Sequence, residues 1–183
     1  MSVMLMAPAR CGSLPETLGG AARWYGLALM IVILDQASKW LASSELSYAT
    51  PVKLLSWFNL TLHHNQGAAF SFLAGAGGWQ RWFFATLALA VSAMIVYWLK
   101  ELKPRQWQLS LALALVLGGA LGNLVDRIHL GYVVDFISVH YRDWYFPTFN
   151  VADAAISVGA FLIILDSLVN SATDEVSKEE QGS

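Results

Sequence analysis

Four long apolar stretches constrain this chain more than any other feature of its sequence. They cover residues 24–41, 82–99, 109–125 and 152–169, and each approaches the ~20 residues that a helix needs to cross a hydrocarbon core of ~30 Å. Backbone polar groups in lipid must be satisfied within the segment itself, so these stretches are expected to be helices. The sequence therefore predicts an all-α integral membrane protein with four transmembrane helices.

The composition narrows the class of protein further. Of the 183 residues, 56% are hydrophobic and only 13% are charged, which is too apolar for an ordinary soluble domain. The formal net charge of −2 argues against a nucleic-acid partner, so the short basic clusters are interpreted as topology signals. The single cysteine, Cys11, cannot form a disulfide within the chain.

The connection between the second and third stretches indicates the orientation. It is short and carries Lys100, Lys103 and Arg105, and short basic loops stay in the cytoplasm. Both termini are then cytoplasmic as well. We therefore divide the chain into a cytoplasmic leader (1–23), a four-span membrane unit (24–169) and a cytoplasmic tail (170–183), whose polar and acidic composition predicts disorder.

The two outer connections also contain patterns. Residues 58–63 alternate apolar and polar side chains, which is the period of a half-buried strand and predicts a small extracytoplasmic β-sheet. Trp144, Tyr145 and Phe146 form an aromatic cluster before Pro147, as is typical of segments at a membrane interface. This second connection is expected to contain an interfacial loop or helix.

Five polar blocks lie at the outer ends of the spans or in the outer connections. Because independent helix ends converge on one side of the membrane, these blocks indicate a functional site rather than scattered packing residues. In chain order they are DQASK (35–39), NQGAAF (65–70), GGALGNLVDR (118–127), VVDF (133–136) and FNVAD (149–153).

Three aspartates in these blocks are candidates for chemistry, because a carboxylate beside an apolar span is expensive to desolvate. Asp126 is followed by Arg127, which offers it a counter-ion, and an ion-paired aspartate is a poor proton donor. Asp126 is therefore interpreted as structural. Asp135 and Asp153 remain as a pair that can share one proton and activate a water molecule.

Other polar and small residues have simpler explanations. Asp35 and Lys39 are four residues apart on one helix face and are expected to neutralise each other. Gly118 and Gly122 form a pair that lets another helix approach closely. The adjacent histidines His63 and His64 lack further ligands at a matched spacing, and Ser38 and Lys39 do not face each other as a nucleophile and base would, so no metal, no cofactor and no serine chemistry is expected.

Taken in order, the five blocks resemble the signature blocks of the lipoprotein signal peptidase family, also called signal peptidase II. The resemblance runs from the first span to the last and is specific, since all five blocks occur in the right order. It implies an aspartic endopeptidase of the bacterial inner membrane that removes signal peptides from prolipoproteins, cutting before a diacylglyceryl-modified cysteine. The active site would lie at the periplasmic face. The implied partners are these lipid-modified precursors and membrane lipid, with the enzyme as a monomer.

The resemblance also assigns residues. Asp135 and Asp153 match the catalytic pair of the family, in agreement with the reasoning from the residues themselves. Asp35 and Lys39 match a block with a supporting role. Five further residues match positions that line the site and hold the substrate backbone or the catalytic pair: Asn65, Asn123, Asp126, Arg127 and Asn150. The outer sheet and interfacial loop of the family correspond to residues 58–63 and 137–146.

Two other classes of function would use some of the same residues. A small transporter or proton channel would use the carboxylates as a relay, but it predicts charges near the middle of the membrane and internal symmetry, whereas the polar blocks lie at helix ends. A non-catalytic assembly factor would bind a partner helix through Gly118 and Gly122 and would need no converging aspartates. Cleavage of a purified lipid-modified precursor separates these functions.

Overall fold

A computed structural model describes residues 16–67 and 78–181 of the chain. The described part contains four α-helices and four β-strands. In chain order they are α1 (Glu16–Glu45), β1 (Val52–Leu55), β2 (Phe58–Asn65), α2 (Trp79–Glu101), α3 (Trp107–His129), β3 (Val133–Tyr141), β4 (Trp144–Tyr145) and α4 (Val151–Gln181).

All four helices are long and apolar enough to cross a membrane, which confirms the four predicted spans. Each helix is longer than its predicted span, and α4 continues to Gln181, into the segment for which the composition predicts disorder. Residues 1–15 lie outside the described part. The division of the chain into leader, membrane unit and tail stays a prediction.

Helix α3 lies at the centre of the bundle and packs against each of the other three helices. Its central face is built from small and aliphatic residues such as Ala112, Ala114 and Leu117, which are almost fully buried. The outer faces of the other helices expose large apolar side chains, for example Leu29, Leu87 and Phe161. Large apolar side chains on the outer surface, with small residues between the helices, fit a bundle whose outer surface is in contact with lipid.

Glycines on α3 permit this close packing. A Cβ added at Gly118 would lie 2.7 Å from Cβ of Ile31 in α1, and one added at Gly122 would lie 2.6 Å from Oδ2 of Asp35. At Gly119 an added Cβ would collide with the carbonyl oxygen of Ala152 in α4. The packing role predicted for Gly118 and Gly122 is therefore confirmed.

The four strands form one antiparallel sheet in the order β1-β2-β3-β4, beyond the end of the bundle where α1 and α3 finish. The strand predicted at residues 58–63 is confirmed as part of β2. Of residues 137–146, where the resemblance implies an interfacial loop, all but the last form the second half of β3, a turn and β4. The register places Asp135 of β3 opposite His63 of β2.

A glycine turn connects α3 to the strand that carries Asp135. Gly131 adopts a left-handed backbone with φ of 86°, and both its N–H and that of Leu130 point to the carbonyl oxygen of Asp126 at 3.3 and 2.7 Å. A left-handed residue after the last turn is a common way to end a helix, and glycine adopts it without a Cβ penalty. The chain therefore leaves α3 sharply and enters β3 at Val133, two residues before Asp135.

Candidate active site

The polar blocks predicted to converge do meet at the sheet end of the bundle. Asp35 and Lys39 come from α1, Asn123 and Asp126 from α3, Asn65 from the end of β2, Asp135 from β3, and Asn150 and Asp153 from the start of α4. Their side chains form one connected set of hydrogen bonds and ion pairs. Residues 68–70 of the second block lie outside the described residues.

Asn150 is the N-cap of α4 and contacts both candidate catalytic residues. Its Oδ1 accepts a hydrogen bond of 2.8 Å from the backbone N–H of Asp153, which is the usual way an asparagine begins a helix. Asp153 then lies in the first turn of α4, where the helix dipole favours a negative charge. The same Asn150 side chain donates through Nδ2 to Oδ1 of Asp135 at 2.7 Å.

Asp135 lies almost fully buried, with 2% of its surface exposed. Its carboxylate accepts hydrogen bonds from Nδ2 of Asn150 and, at 3.1 Å, from Nδ2 of Asn65. Burial, together with the nearby charge of Asp153, raises the pKa of Asp135 to about 7, although the two asparagine hydrogen bonds and the charge of Lys39 act in the opposite direction. A carboxyl group with such a pKa can hold or release a proton near neutral pH.

Asp153 is half-buried and is held by Asn123, whose Nδ2 donates to its Oδ1 at 2.7 Å. The oxygen of the Asn123 amide accepts hydrogen bonds from Nζ of Lys39 at 2.9 Å and from Nδ2 of Asn150 at 3.3 Å. The orientation of this amide is thus fixed on both sides. Asp135 and Asp153 are linked through the two asparagines and lie close enough for their charges to interact.

Lys39 provides a positive charge close to Asp135 and Asp153. Its Nζ lies 2.8 Å from Oδ2 of Asp35 and 3.0 Å from Oδ2 of Asp126, and all three side chains are buried. The neutralisation predicted between Asp35 and Lys39 is confirmed, but it occurs in the interior of the protein and involves a second carboxylate from α3.

The structure corrects the counter-ion that the sequence suggested for Asp126. The ion pair of Asp126 is with Lys39, whereas Arg127 donates to the carbonyl oxygen of Gly67 at 3.0 Å and lies over the ring of Phe84. Successive residues on a helix point in different directions and do not face the same neighbour. Arg127 therefore contacts the chain near the end of β2 instead of its neighbour in sequence.

Sequence reasoning missed Gln36. Its Nε2 donates to Oδ1 of Asp126 at 2.8 Å and to the carbonyl oxygen of Gly122 at 3.1 Å, which joins α1 to α3 beside the ion pairs. The residue lies within the DQASK block, between Asp35 and Lys39. Its position within a polar block was the one feature of the sequence that could have marked Gln36 as a site residue.

An open cleft of about 490 Å³ leads away from Asp135 along the sheet. Its lining combines polar strand residues, such as Thr61 and Ser138, with the aromatic side chains Tyr145 and Phe146. Such a mixed lining can hold an extended peptide with both backbone and side-chain contacts.

The histidines beside the cleft are engaged with aromatic rings. Tyr48 packs against His63 and His64, and His64 stacks on Tyr132 with ring centroids 4.1 Å apart. Within the described ranges, no group of three or more His, Cys, Asp or Glu side chains is arranged to hold a metal ion.

Comparisons with known proteins identify close relatives of this sequence. A family model described as Signal peptidase (SPase) II matches residues 27–169. A protein named lipoprotein signal peptidase from Teredinibacter turnerae is 55% identical over 148 residues, which cover 81% of this chain and 88% of that protein. Proteins of the same name from Acinetobacter baumannii (55% over 144 residues, 79% and 82% of the two chains) and Pseudomonas fluorescens (51% over 166 residues, 88% and 98%) are similarly close.

Two solved structures have the same fold. Both are described as bacterial membrane enzymes. One superposes with a TM-score of 0.75 at 29% identity and covers 83% of this chain and 91% of that structure. The other has a TM-score of 0.70 at 30% identity, with 80% and 93% covered.

Proposed function

Because this chain belongs to the signal peptidase II family, we propose that it removes signal peptides from prolipoproteins by aspartic protease chemistry. Asp135 and Asp153 are the catalytic residues in this proposal. The main support is the geometry of this pair. The two carboxyl groups come from different elements, each accepts a hydrogen bond from an asparagine, and their charges interact. Asp135 also lines the cleft along the sheet.

The proposed reaction is attack by water on the scissile carbonyl. One carboxylate takes a proton from the water, while the protonated partner polarises the carbonyl group and then protonates the leaving amine. Two neighbouring carboxylates do not both ionise easily, so one shared proton is the stable arrangement near neutral pH. The raised pKa of Asp135, about 7, supports this arrangement. The reaction needs no metal ion or other cofactor.

The proposed substrate is a precursor whose cysteine carries a diacylglyceryl group, with cleavage just before that cysteine. The pair lies at the end of four membrane-spanning helices, so the lipid of the substrate can stay in the bilayer while its peptide enters the cleft. We place the enzyme in the inner membrane of a bacterium, with the site at the periplasmic face and both termini in the cytoplasm. Asn65, Asn123, Asn150 and Arg127 support the pair or the substrate backbone.

A cleavage assay tests the proposal. The purified chain should release the signal peptide from a lipid-modified precursor and should leave the same precursor uncut when its cysteine carries no lipid. Asp135→Asn and Asp153→Asn should each abolish cleavage while the protein still accumulates in the membrane, because an amide cannot act as a base. Asp166→Asn is a matched control, since Asp166 lies on α4 far from its N-terminus, and it should retain activity.

The double variant adds a test of the shared mechanism. Residues that act as one unit are not additive, so Asp135→Asn/Asp153→Asn should be scarcely worse than either single variant. Near wild-type turnover in either single variant would reassign the pair, and an inactive but folded wild-type chain would overturn the proposed function.

A further inference from the structure

Each candidate catalytic residue follows a residue whose backbone N–H is bound by a buried carboxylate. The N–H of Val134, just before Asp135, donates to Oδ2 of Asp126 at 3.0 Å. The N–H of Ala152, just before Asp153, donates to Oδ1 of Asp35 at 2.9 Å. The start of β3 is thus tied to α3, and the start of α4 is tied to α1.

Lys39 joins the two carboxylates that make these contacts. An ammonium group has three N–H donors, and the three oxygens within reach of Nζ belong to Asp35 (2.8 Å), Asp126 (3.0 Å) and Asn123 (2.9 Å). Only 3% of the surface of Lys39 is exposed, and Asp35 is fully buried. Removal of one partner would therefore leave a buried charge with fewer compensating groups, which is costly in free energy.

We propose that Asp35, Lys39 and Asp126 form a positioning clamp that sets the spacing between Asp135 and Asp153. The proposal rests on the proposed function, in which these two aspartates are the catalytic pair. None of the three clamp residues touches the reacting atoms in this proposal. They act through the backbone of the preceding residue and, in the case of Lys39, through the amide of Asn123.

The geometry explains why a clamp is needed. The two acids lie on a strand and on a helix that are separated along the chain by β4 and a loop. Shared-proton chemistry requires their carboxyl groups to be held within ~0.5 Å of a productive position. The N–H of Ala152 is one of the first donors of α4, which have no partner within the helix, so its position is free to be set by Asp35. Gly122 leaves room for this contact, because a Cβ there would lie 2.6 Å from Oδ2 of Asp35.

Lys39 has a further effect through Asn123. The Asn123 oxygen faces Lys39 and its nitrogen faces Asp153. Without the ammonium group, the Asn123 oxygen would keep only the longer hydrogen bond from Asn150, at 3.3 Å, so the amide would hold Asp153 less firmly. Loss of Lys39 is therefore expected to disturb both catalytic carboxyl groups, whereas loss of Asp35 or Asp126 disturbs one side.

Hydrogen exchange at two backbone amides tests the clamp without using activity. The neutral amide of an asparagine is a weaker acceptor than a carboxylate. Asp126→Asn should therefore speed exchange at Val134 by about tenfold and leave Ala152 unchanged. Asp35→Asn should do the reverse, and Lys39→Met should speed exchange at both positions. If Lys39→Met fails to fold, the two aspartate variants still carry the test.

Kinetics provide the second readout. A misplacement of catalytic groups by about 1 Å costs about 100-fold in rate, so kcat of folded Lys39→Met should fall by about that factor while KM changes little. Tyr25→Phe is the matched control on α1, because it removes the hydrogen bond from the Tyr25 hydroxyl to the carbonyl oxygen of Val96 far from the site. It should lower thermal stability and leave kcat and both amides unchanged.

The outcomes are distinct. Folded Lys39→Met with wild-type kcat and unchanged exchange at Val134 and Ala152 would overturn the clamp. An increase in exchange spread evenly over the whole protein, rather than concentrated at Val134 and Ala152, would overturn it as well. If the exchange pattern appears as expected but wild-type protein does not cleave a lipid-modified precursor, the clamp stands as a structural device and the proposed function fails.

Discussion

Asn150 donates a hydrogen bond of 2.7 Å to Asp135 across the junction between α4 and β3. The same side chain accepts the backbone N–H of Asp153 and so begins α4. One residue therefore combines two tasks: it caps the helix that carries one acid, and it holds the carboxyl group of the other. Because Asn150 is fully buried, its amide has no alternative partner in water, and both tasks depend on a single orientation.

Two substitutions at Asn150 separate these tasks. Serine is as good an N-cap as asparagine, so Asn150→Ser should keep the helix start. It should lose the hydrogen bonds that Nδ2 donates, of which the one to Asp135 is the shortest. Asn150→Ala should lose both, with an additional cost of about 1 kcal/mol in the free energy of unfolding. Thermal unfolding and precursor cleavage should show two inactive variants, of which only the alanine variant has lost the cap. Full activity in Asn150→Ser would show that the contact with Asp135 is dispensable.

The sequence was sufficient to predict the elements that have a strong local pattern. Four apolar stretches of sufficient length predicted the four helices, and the alternation in residues 58–63 predicted part of β2. The remainder of the sheet was harder to predict, because the first four residues of β3 are all buried. A strand that is covered on both faces has no alternation of apolar and polar residues.

The convergence of the polar blocks could be predicted as well, but the pairing of their side chains could not. The pair Asp35 and Lys39 follows from helical spacing, whereas the contact of Lys39 with Asp126 depends on how α1 packs on α3. Gln36 contacts Asp126 for the same reason. Arg127 was assigned to Asp126 because it is adjacent in sequence, which on a helix does not produce contact. Tertiary contacts of this kind carry no local signal.

Gly122 allows a test of how closely α3 must approach the cluster. In Gly122→Ala the new methyl group would lie 2.6 Å from Oδ2 of Asp35, so Asp35 must shift. We expect a loss of about 1–3 kcal/mol in the free energy of unfolding together with reduced cleavage. Gly26→Ala on α1 is the control, because nothing lies within 4 Å of its added Cβ. Equal stability and activity of the two variants would mean that this contact tolerates displacement.

The proposed orientation in the membrane predicts which residues a reagent can reach. In a chain with Cys11 replaced, a cysteine at Gln106 should be protected in intact cells from a reagent that does not cross the inner membrane. Cysteines at Ser47 and Arg142 should react, because they lie in the connections at the sheet end of the bundle. Labelling after cell lysis provides the control for Gln106. The opposite pattern would place the site in the cytoplasm and contradict processing at the periplasmic face.

The pH dependence of cleavage should reflect a pair that works with one proton. The profile of kcat/KM should be bell-shaped, with a loss of activity at low pH when the pair gains a second proton and at high pH when it loses its only one. Since burial raises the pKa of Asp135 to about 7, we expect the alkaline decline to begin near that pH. Chelators should not change the profile. Activity that stays constant well above pH 8 would argue against a shared proton.

The raised pKa of Asp135 also predicts how stability depends on pH. The pKa is 3.8 for an ordinary aspartate and about 7 in the folded protein, so between these values the folded state binds more protons than the unfolded state. The contribution of Asp135 to stability is then fully present below about pH 4 and is lost as the pH rises through about 7. This direction is opposite to that of an aspartate in an ion pair. Groups that titrate alike in wild type and Asp135→Asn affect both proteins equally, so the comparison isolates Asp135. Between about pH 4 and pH 7, Tm of wild type should therefore fall more steeply than Tm of the variant. If Tm of the two proteins, measured in detergent, changed with pH in parallel, Asp135 would have a similar proton affinity in the folded and unfolded chains.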